Sequence, residues 1–169
     1  MHKSAFLFPG QGSQTVGMMN GFADAAPVEH RDIARATYAE ASAVLGYDLW
    51  DVTQHGPEER LGRTEVTQPA LLAASIATWR IWKAAGGADP DYMAGHSLGE
   101  YSALVAAGAL GFTAGVSLVA ERGRRMQAAT PPGSGSMAAI LALDDAVLED
   151  VCARAARELG QVVSCANYN

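Results

Sequence analysis

Tyr92-Met93-Ala94-Gly95-His96-Ser97-Leu98-Gly99-Glu100-Tyr101 is the stretch on which the reading of this chain turns. Its first three residues are short enough to form a central strand, and from Leu98 to position 107 apolar residues return at helical spacing. Between strand and helix, Gly95-His96-Ser97-Leu98-Gly99 matches G-x-S-x-G. In that pattern glycines flank a serine because the strand-to-helix turn is too tight for larger neighbours and strains the serine backbone. Ser97 would then stand at a helix N-terminus, whose dipole favours developing negative charge. The alternative is a glycine-rich turn in which the serine does no more than cap the helix.

A serine that accepts an acyl group also needs an oxyanion hole, and the residue after the nucleophile, Leu98, supplies one backbone N–H. The second donor has to come from another loop. Ala5-Phe6-Leu7-Phe8 is a continuous apolar run that reads as a strand buried on both faces, released into Pro9-Gly10-Gln11-Gly12-Ser13-Gln14. The glycines let a backbone N–H approach a substrate closely, which makes Gln11 the candidate; losing one such donor costs on the order of a hundred- to a thousandfold in rate. Without the serine pentapeptide this loop would read as a structural turn.

Helical periodicity is expected over 33–45, over 69–84 with Thr67 as N-cap and Gly86-Gly87 as stop, and over 113–127. Pro131-Pro132-Gly133-Ser134-Gly135 is the most linker-like stretch and marks a boundary between residues 1–130 and 131–169. Beyond it, 136–143 reads as a strand, 144–159 as a helix and Val162-Val163-Ser164-Cys165 as a second strand, a βαβ unit cut short. The fold class is α/β with a parallel sheet. The chain stops at Asn167-Tyr168-Asn169 without a polar tail, an ending that suggests more residues follow.

The serine's proton acceptor is harder to find, because only His2, His30, His55 and His96 are available. His2 is terminal, His30 lies near a helix start and His55 sits beside Gly56-Pro57 in an expected surface loop. In a tight elbow the side chain before the nucleophile points away from it, so His96 reads as structural. The lack of a base points to a truncated enzyme.

Composition narrows the classes. A hydrophobic fraction of 49% over 169 residues suits a globular protein with a core, and the net charge of −6 argues against a nucleic-acid binder. Two cysteines, Cys152 and Cys165, are too few for a disulfide framework or a thiolate metal site and fit a reducing compartment. The run at residues 70–81 is too short and too polar to span a bilayer, so the expected location is the cytoplasm, with no membrane partner.

Phe8-Pro9-Gly10-Gln11-Gly12-Ser13-Gln14, Thr67-Gln68-Pro69-Ala70-Leu71, Gly95-His96-Ser97-Leu98-Gly99-Glu100-Tyr101 and Arg122-Gly123-Arg124-Arg125-Met126-Gln127, in this order, closely resemble bacterial malonyl-CoA:acyl carrier protein transacylases. The resemblance spans the chain. It implies a large α/β-hydrolase-like subdomain, the start of a small ferredoxin-like one, and an active site between them. It implies Ser97 as nucleophile, Gln11 and Leu98 as backbone oxyanion donors, and Arg122 as the cation that holds the malonyl carboxylate. His96, Gln68 and Asn167 are the further substrate-binding candidates, Gln68 and Asn167 as groove-lining side chains. The implied substrates are malonyl-CoA and acyl carrier protein, in fatty-acid synthesis, with no metal, no cofactor beyond the coenzyme A thioester, and a monomer as the working form. The family's catalytic histidine and the glutamine that orients it match no position here. A serine esterase or thioesterase, or an inactive fragment that only docks a carrier, are the rival readings.

Arg122 also has a physical case of its own. A guanidinium stays charged and can grip a carboxylate bidentately, which selects malonyl over acetyl. On a helix, the plainer reading of such an arginine is a solvated side chain, and Arg124 and Arg125 keep that reading, with an acidic carrier as their conceivable partner.

Overall fold

The computed structural model describes residues 3–22, 26–129 and 135–168. The chain divides into two units, Met1–Pro132 and Gly133–Asn169. The expected linker residues 131–134 lie outside the described residues, as does His2.

In the first unit two short strands, β1 (Ala5–Phe8) and β2 (Tyr92–Gly95), pair in parallel, with Phe8 opposite Gly95. Helices α1 (Val28–Leu45), α2 (Leu49–His55), α3 (Glu58–Leu61) and α4 (Thr64–Ala84) lie between them in sequence, and α5 (Leu98–Ala106) and α6 (Phe112–Ala129) follow β2. The result is a mixed α/β architecture with a small parallel sheet.

Neither strand is enclosed as expected. In β1 the side chains alternate, with Phe8 buried and Leu7 78% exposed, and in β2 Tyr92 is 55% exposed. One face of β1 is covered: Phe6 packs edge-on against Trp79 and Trp82 of α4, at ring-centroid distances of 5.7 and 5.5 Å. The other face has no covering layer among the described residues, so the apolar run becomes a half-buried strand. An open apolar cavity of 540 Å³ lies between β1, Met18, Phe22 and α4.

The core lies among the helices. Leu72 and Ile76 of α4, Leu98 of α5 and Val116 and Val119 of α6 are buried together, and burying each such side chain stabilises the fold by about 1.5–3 kcal/mol. Tyr38 of α1 meets Trp50 of α2 edge-on at 5.1 Å, and its hydroxyl donates to the Ala70 carbonyl at 3.3 Å. Helix α1 ends where Gly46 takes a left-handed φ of 78°.

Helix α4 starts earlier than the cap signals suggest. Thr67 is not its N-cap; Arg63 is, and the Thr67 hydroxyl donates to the carbonyls of Leu61 and Arg63 at 2.5 and 3.1 Å. Proline is at home in a first turn because its missing N–H has no intrahelical partner there, which is why Pro69 looks like a start. Here it sits inside the helix, and the packing of the buried segment 66–73 outweighs the lost bond. Helices α2 and α3 are too short to show a clear period, so His55, expected in a loop, closes α2 and bonds Asp51 at 2.8 Å.

The second unit holds α7 (Asp145–Leu159), opened by Asp144, whose side chain accepts from the N–H groups of Ala146 and Val147. The strands expected over 136–143 and 162–165 are not formed. A strand exists by pairing, and no described segment pairs with either; Leu141 and Val162 stand 86% and 95% exposed.

Candidate functional site

Parallel pairing with Phe8 opposite Gly95 brings two loops off the same end of the sheet, the Pro9-to-Gln14 turn and the Gly95-to-Gly99 elbow. Carboxyl ends of parallel strands are where α/β folds build sites. The two loops touch: a Cβ added to Gly10 would lie 2.9 Å from the His96 carbonyl oxygen.

The elbow is built as its glycines require. A Cβ on Gly95 would fall 2.0 Å from the Gly99 carbonyl carbon, and one on Gly99 would fall 2.1 Å from the Phe8 carbonyl oxygen. Only glycine lets helix α5 start so close to both strands. Ser97 itself adopts φ 52°, ψ −109°, a backbone state rare for a residue with a side chain and of the strained kind found at functional sites. Its hydroxyl makes no capping bond to α5 and the residue is solvent-exposed. A serine that merely caps a helix would take an ordinary extended backbone and accept a bond from the first turn of the helix.

The N–H groups of Gly99 and Glu100 are taken by the carbonyls of His96 and Ser97. Leu98, first residue of α5, has by position no intrahelical acceptor for its own N–H, beside Ser97. In the facing loop Gly12 takes a φ of 107°, its N–H bonds the Gln14 side chain at 2.7 Å, and the Ser13 hydroxyl donates to the Gly10 carbonyl. The Gln11 side chain donates to the Thr64 hydroxyl at 3.3 Å.

Arg122 reaches this elbow from α6. Its Nη2 donates to Ser97 Oγ at 2.9 Å, its Nη1 donates to Gln68 Oε1 at 2.8 Å, and the guanidinium lies 5.6 Å from the Tyr101 ring centroid. Gln68 is fully buried, and its amide donates onward to the Met126 sulfur at 3.2 Å. What lets α6 come this near is Gly123, where a Cβ would lie 2.6 Å from Glu65 Cα and 2.7 Å from the Thr64 carbonyl oxygen. The first turns of α4 thus receive Gln11, Gly123 and Arg122 together.

The acyl transferase domain family matches residues 5–167. The chain belongs to that family. This acyl transferase domain is 56% identical over all 169 residues to the malonyl CoA-acyl carrier protein transacylase of Escherichia coli K12, and 46% identical to the Bacillus subtilis protein of the same name. It spans about half the length of these curated relatives, 52% and 51%. Its structure is similar to that of the malonyl CoA-acyl carrier protein transacylase of Coxiella burnetii, with a TM-score of 0.88 and 52% identity over 100% of this chain and 52% of that one. It is similar also to a malonyl-transacylase solved in complex with a type II acyl-carrier protein, with a TM-score of 0.87 and 51% identity over 96% of this chain and 50% of that one.

Of the residues singled out in the acyl transferase domain's sequence, Ser97, Leu98, Arg122 and Gln68 meet at one place, with the Gln11 loop against them. Gln68 is placed under Arg122 rather than open to a groove, a buried amide whose oxygen orients the guanidinium. His96 is exposed and its backbone meets Gly10. Asn167 lies in the other unit and is exposed. Ser97 Oγ has Arg122 as its side-chain partner, and among the described residues no histidine bonds it. Arg124 and Arg125 both pair with Glu121, at 2.7 Å each, and these bonds hold the Glu121 carboxyl below its usual range. The motifs alone assign no role to Tyr101 or Met126; their contacts with Arg122 and Gln68 across the helices do. No described group of three or more His, Cys, Asp or Glu side chains converges as a metal site would, and no described helix is long and apolar enough to cross a membrane.

Proposed function

We propose that this chain is the nucleophile-bearing part of a malonyl-CoA:acyl carrier protein transacylase of fatty-acid synthesis. Ser97 Oγ attacks the malonyl thioester and gives its proton to a general base, for which no position in this chain matches the histidine of the family. The oxyanion is held by the N–H groups of Gln11 and Leu98, coenzyme A leaves as its thiol, and malonyl-Ser97 results. The carrier's phosphopantetheine thiol then attacks the ester, takes the malonyl group and restores the Ser97 hydroxyl. Residues 1–130 correspond in this reading to the α/β-hydrolase-like subdomain and 131–169 to the beginning of the ferredoxin-like one. The protein works as a cytoplasmic monomer and uses no cofactor beyond the thioester.

The observation that carries the proposal is the 2.9 Å bond from Arg122 Nη2 to Ser97 Oγ. A cation placed against the nucleophile lies within reach of the far carboxylate of a three-carbon diacid bound to that oxygen. Transfer to water would not require it. The test is a chimera in which this chain replaces the matching half of the Escherichia coli relative. Incubated with malonyl-CoA it should gain one malonyl group on Ser97 and pass it to holo carrier protein, and Ser97→Ala should do neither. A label on another residue, or release to water at the rate of transfer, would reject the proposal.

A further inference from the structure

The two cysteines of the chain, which composition leaves unconnected, meet in the second unit. Cys152 lies in the middle of α7 and Cys165 in the segment after it, 13 residues on, and their sulfurs are 4.0 Å apart and partly buried. A disulfide needs about 2.05 Å between sulfurs, so the pair has to close by about 2 Å. The partner to be moved is favourable for this, because residues 161–168 belong to no helix or strand. The same segment is fastened once more to α7, through the Tyr168 hydroxyl donating to Glu149 at 2.5 Å.

We propose that Cys152 and Cys165 are a reversible thiol-oxidation site, which closes to an intramolecular disulfide under a small-molecule disulfide such as oxidised glutathione. One cysteine thiolate attacks the glutathione disulfide, forming a mixed disulfide and expelling one reduced glutathione. The second cysteine thiolate attacks the protein sulfur of that mixed disulfide and expels the other. Two protein thiols lose two protons and two electrons, and one small disulfide becomes two thiols, so the step balances. The product ties the segment that carries Asn167 to α7. Burial, and the hydrogen bond between the two thiols, push the Cys152 thiol up, so it attacks a disulfide slowly at neutral pH. A pair of this kind in a reducing compartment cycles rather than serving as a permanent staple. The site does not depend on the proposed transferase activity.

The test takes the reduced 169-residue chain, exposes it to oxidised glutathione, quenches with N-ethylmaleimide and measures intact mass. The expected product has lost two hydrogens, carries no maleimide and no glutathione, and regains two maleimide-reactive thiols after dithiothreitol. Cys152→Ser and Cys165→Ser should each stop at a single glutathione adduct under the same conditions. A wild-type product that keeps glutathione on either sulfur, that forms a disulfide-linked dimer, or that still takes up two maleimides would overturn the proposal.

Discussion

The guanidinium of Arg122 donates to the hydroxyl oxygen of Ser97 across 2.9 Å, from a helix that begins fifteen positions after that serine. Serine hydroxyl and cation are thus set against each other by the packing of α6 on α4 and α5. Charge-assisted hydrogen bonds of this type contribute about 1.5–3 kcal/mol.

Arg122→Ala in the chimera should therefore slow malonyl transfer by about ten- to a hundredfold. Acetyl transfer, which offers no carboxylate, should fall only a few-fold. Initial rates with the two thioesters decide it; equal losses would refute a carboxylate-holding role.

Gln68→Leu removes the acceptor of Arg122 Nη1 and the donor to Met126 Sδ while keeping most of the buried volume. A hydrogen bond to a charged group contributes about 1.5–3 kcal/mol, and its loss should register in thermal unfolding. The preference for malonyl over acetyl should weaken, though less than in Arg122→Ala, because the guanidinium remains but is no longer oriented.

Gly123→Ala should destabilise by about 1–3 kcal/mol, the usual cost of overpacking, since its Cβ would meet the backbone of Thr64 and Glu65. Gly111→Ala, with nothing within 4 Å of the added carbon, should stay within about 0.5 kcal/mol. Denaturant midpoints of the two variants make the comparison, and similar losses would show that the α4–α6 approach is not tight at Gly123.

Tyr38 gives the pH prediction. Burial raises its phenol well above the usual tyrosine range. In the unfolded chain the phenol ionises at about pH 10, while in the folded chain it stays neutral beyond that. Its contribution is therefore complete below about pH 10 and is lost as the pH rises above it. Stability measured between neutral pH and pH 11 should fall on the alkaline side, and Tyr38→Phe should flatten that fall while losing the bond to the Ala70 carbonyl.

Much of the elbow was legible because its demands are local. Gly95 and Gly99 are glycine for contacts with residues a few positions away or on the paired strand, and a strand–turn–helix pattern with small residues around a serine displays that directly. Helices α1, α5, α6 and α7 follow from the spacing of their apolar residues, and α7 opens at Asp144 as its sequence indicates. Signals of that kind failed at α4, where Pro69 imitates a helix start and the buried packing of the whole segment overrides it.

What tertiary structure alone decided is what depends on contacts distant in sequence. Gln68 and Arg122 are 54 residues apart, and no local pattern says that a buried amide will steer that guanidinium. The exposure of Leu7, the unpaired state of 136–143 and the meeting of Cys152 with Cys165 are of the same kind. An apolar stretch carries its own propensity, but whether it is enclosed, paired or brought against another residue is settled by which surfaces the rest of the chain places beside it.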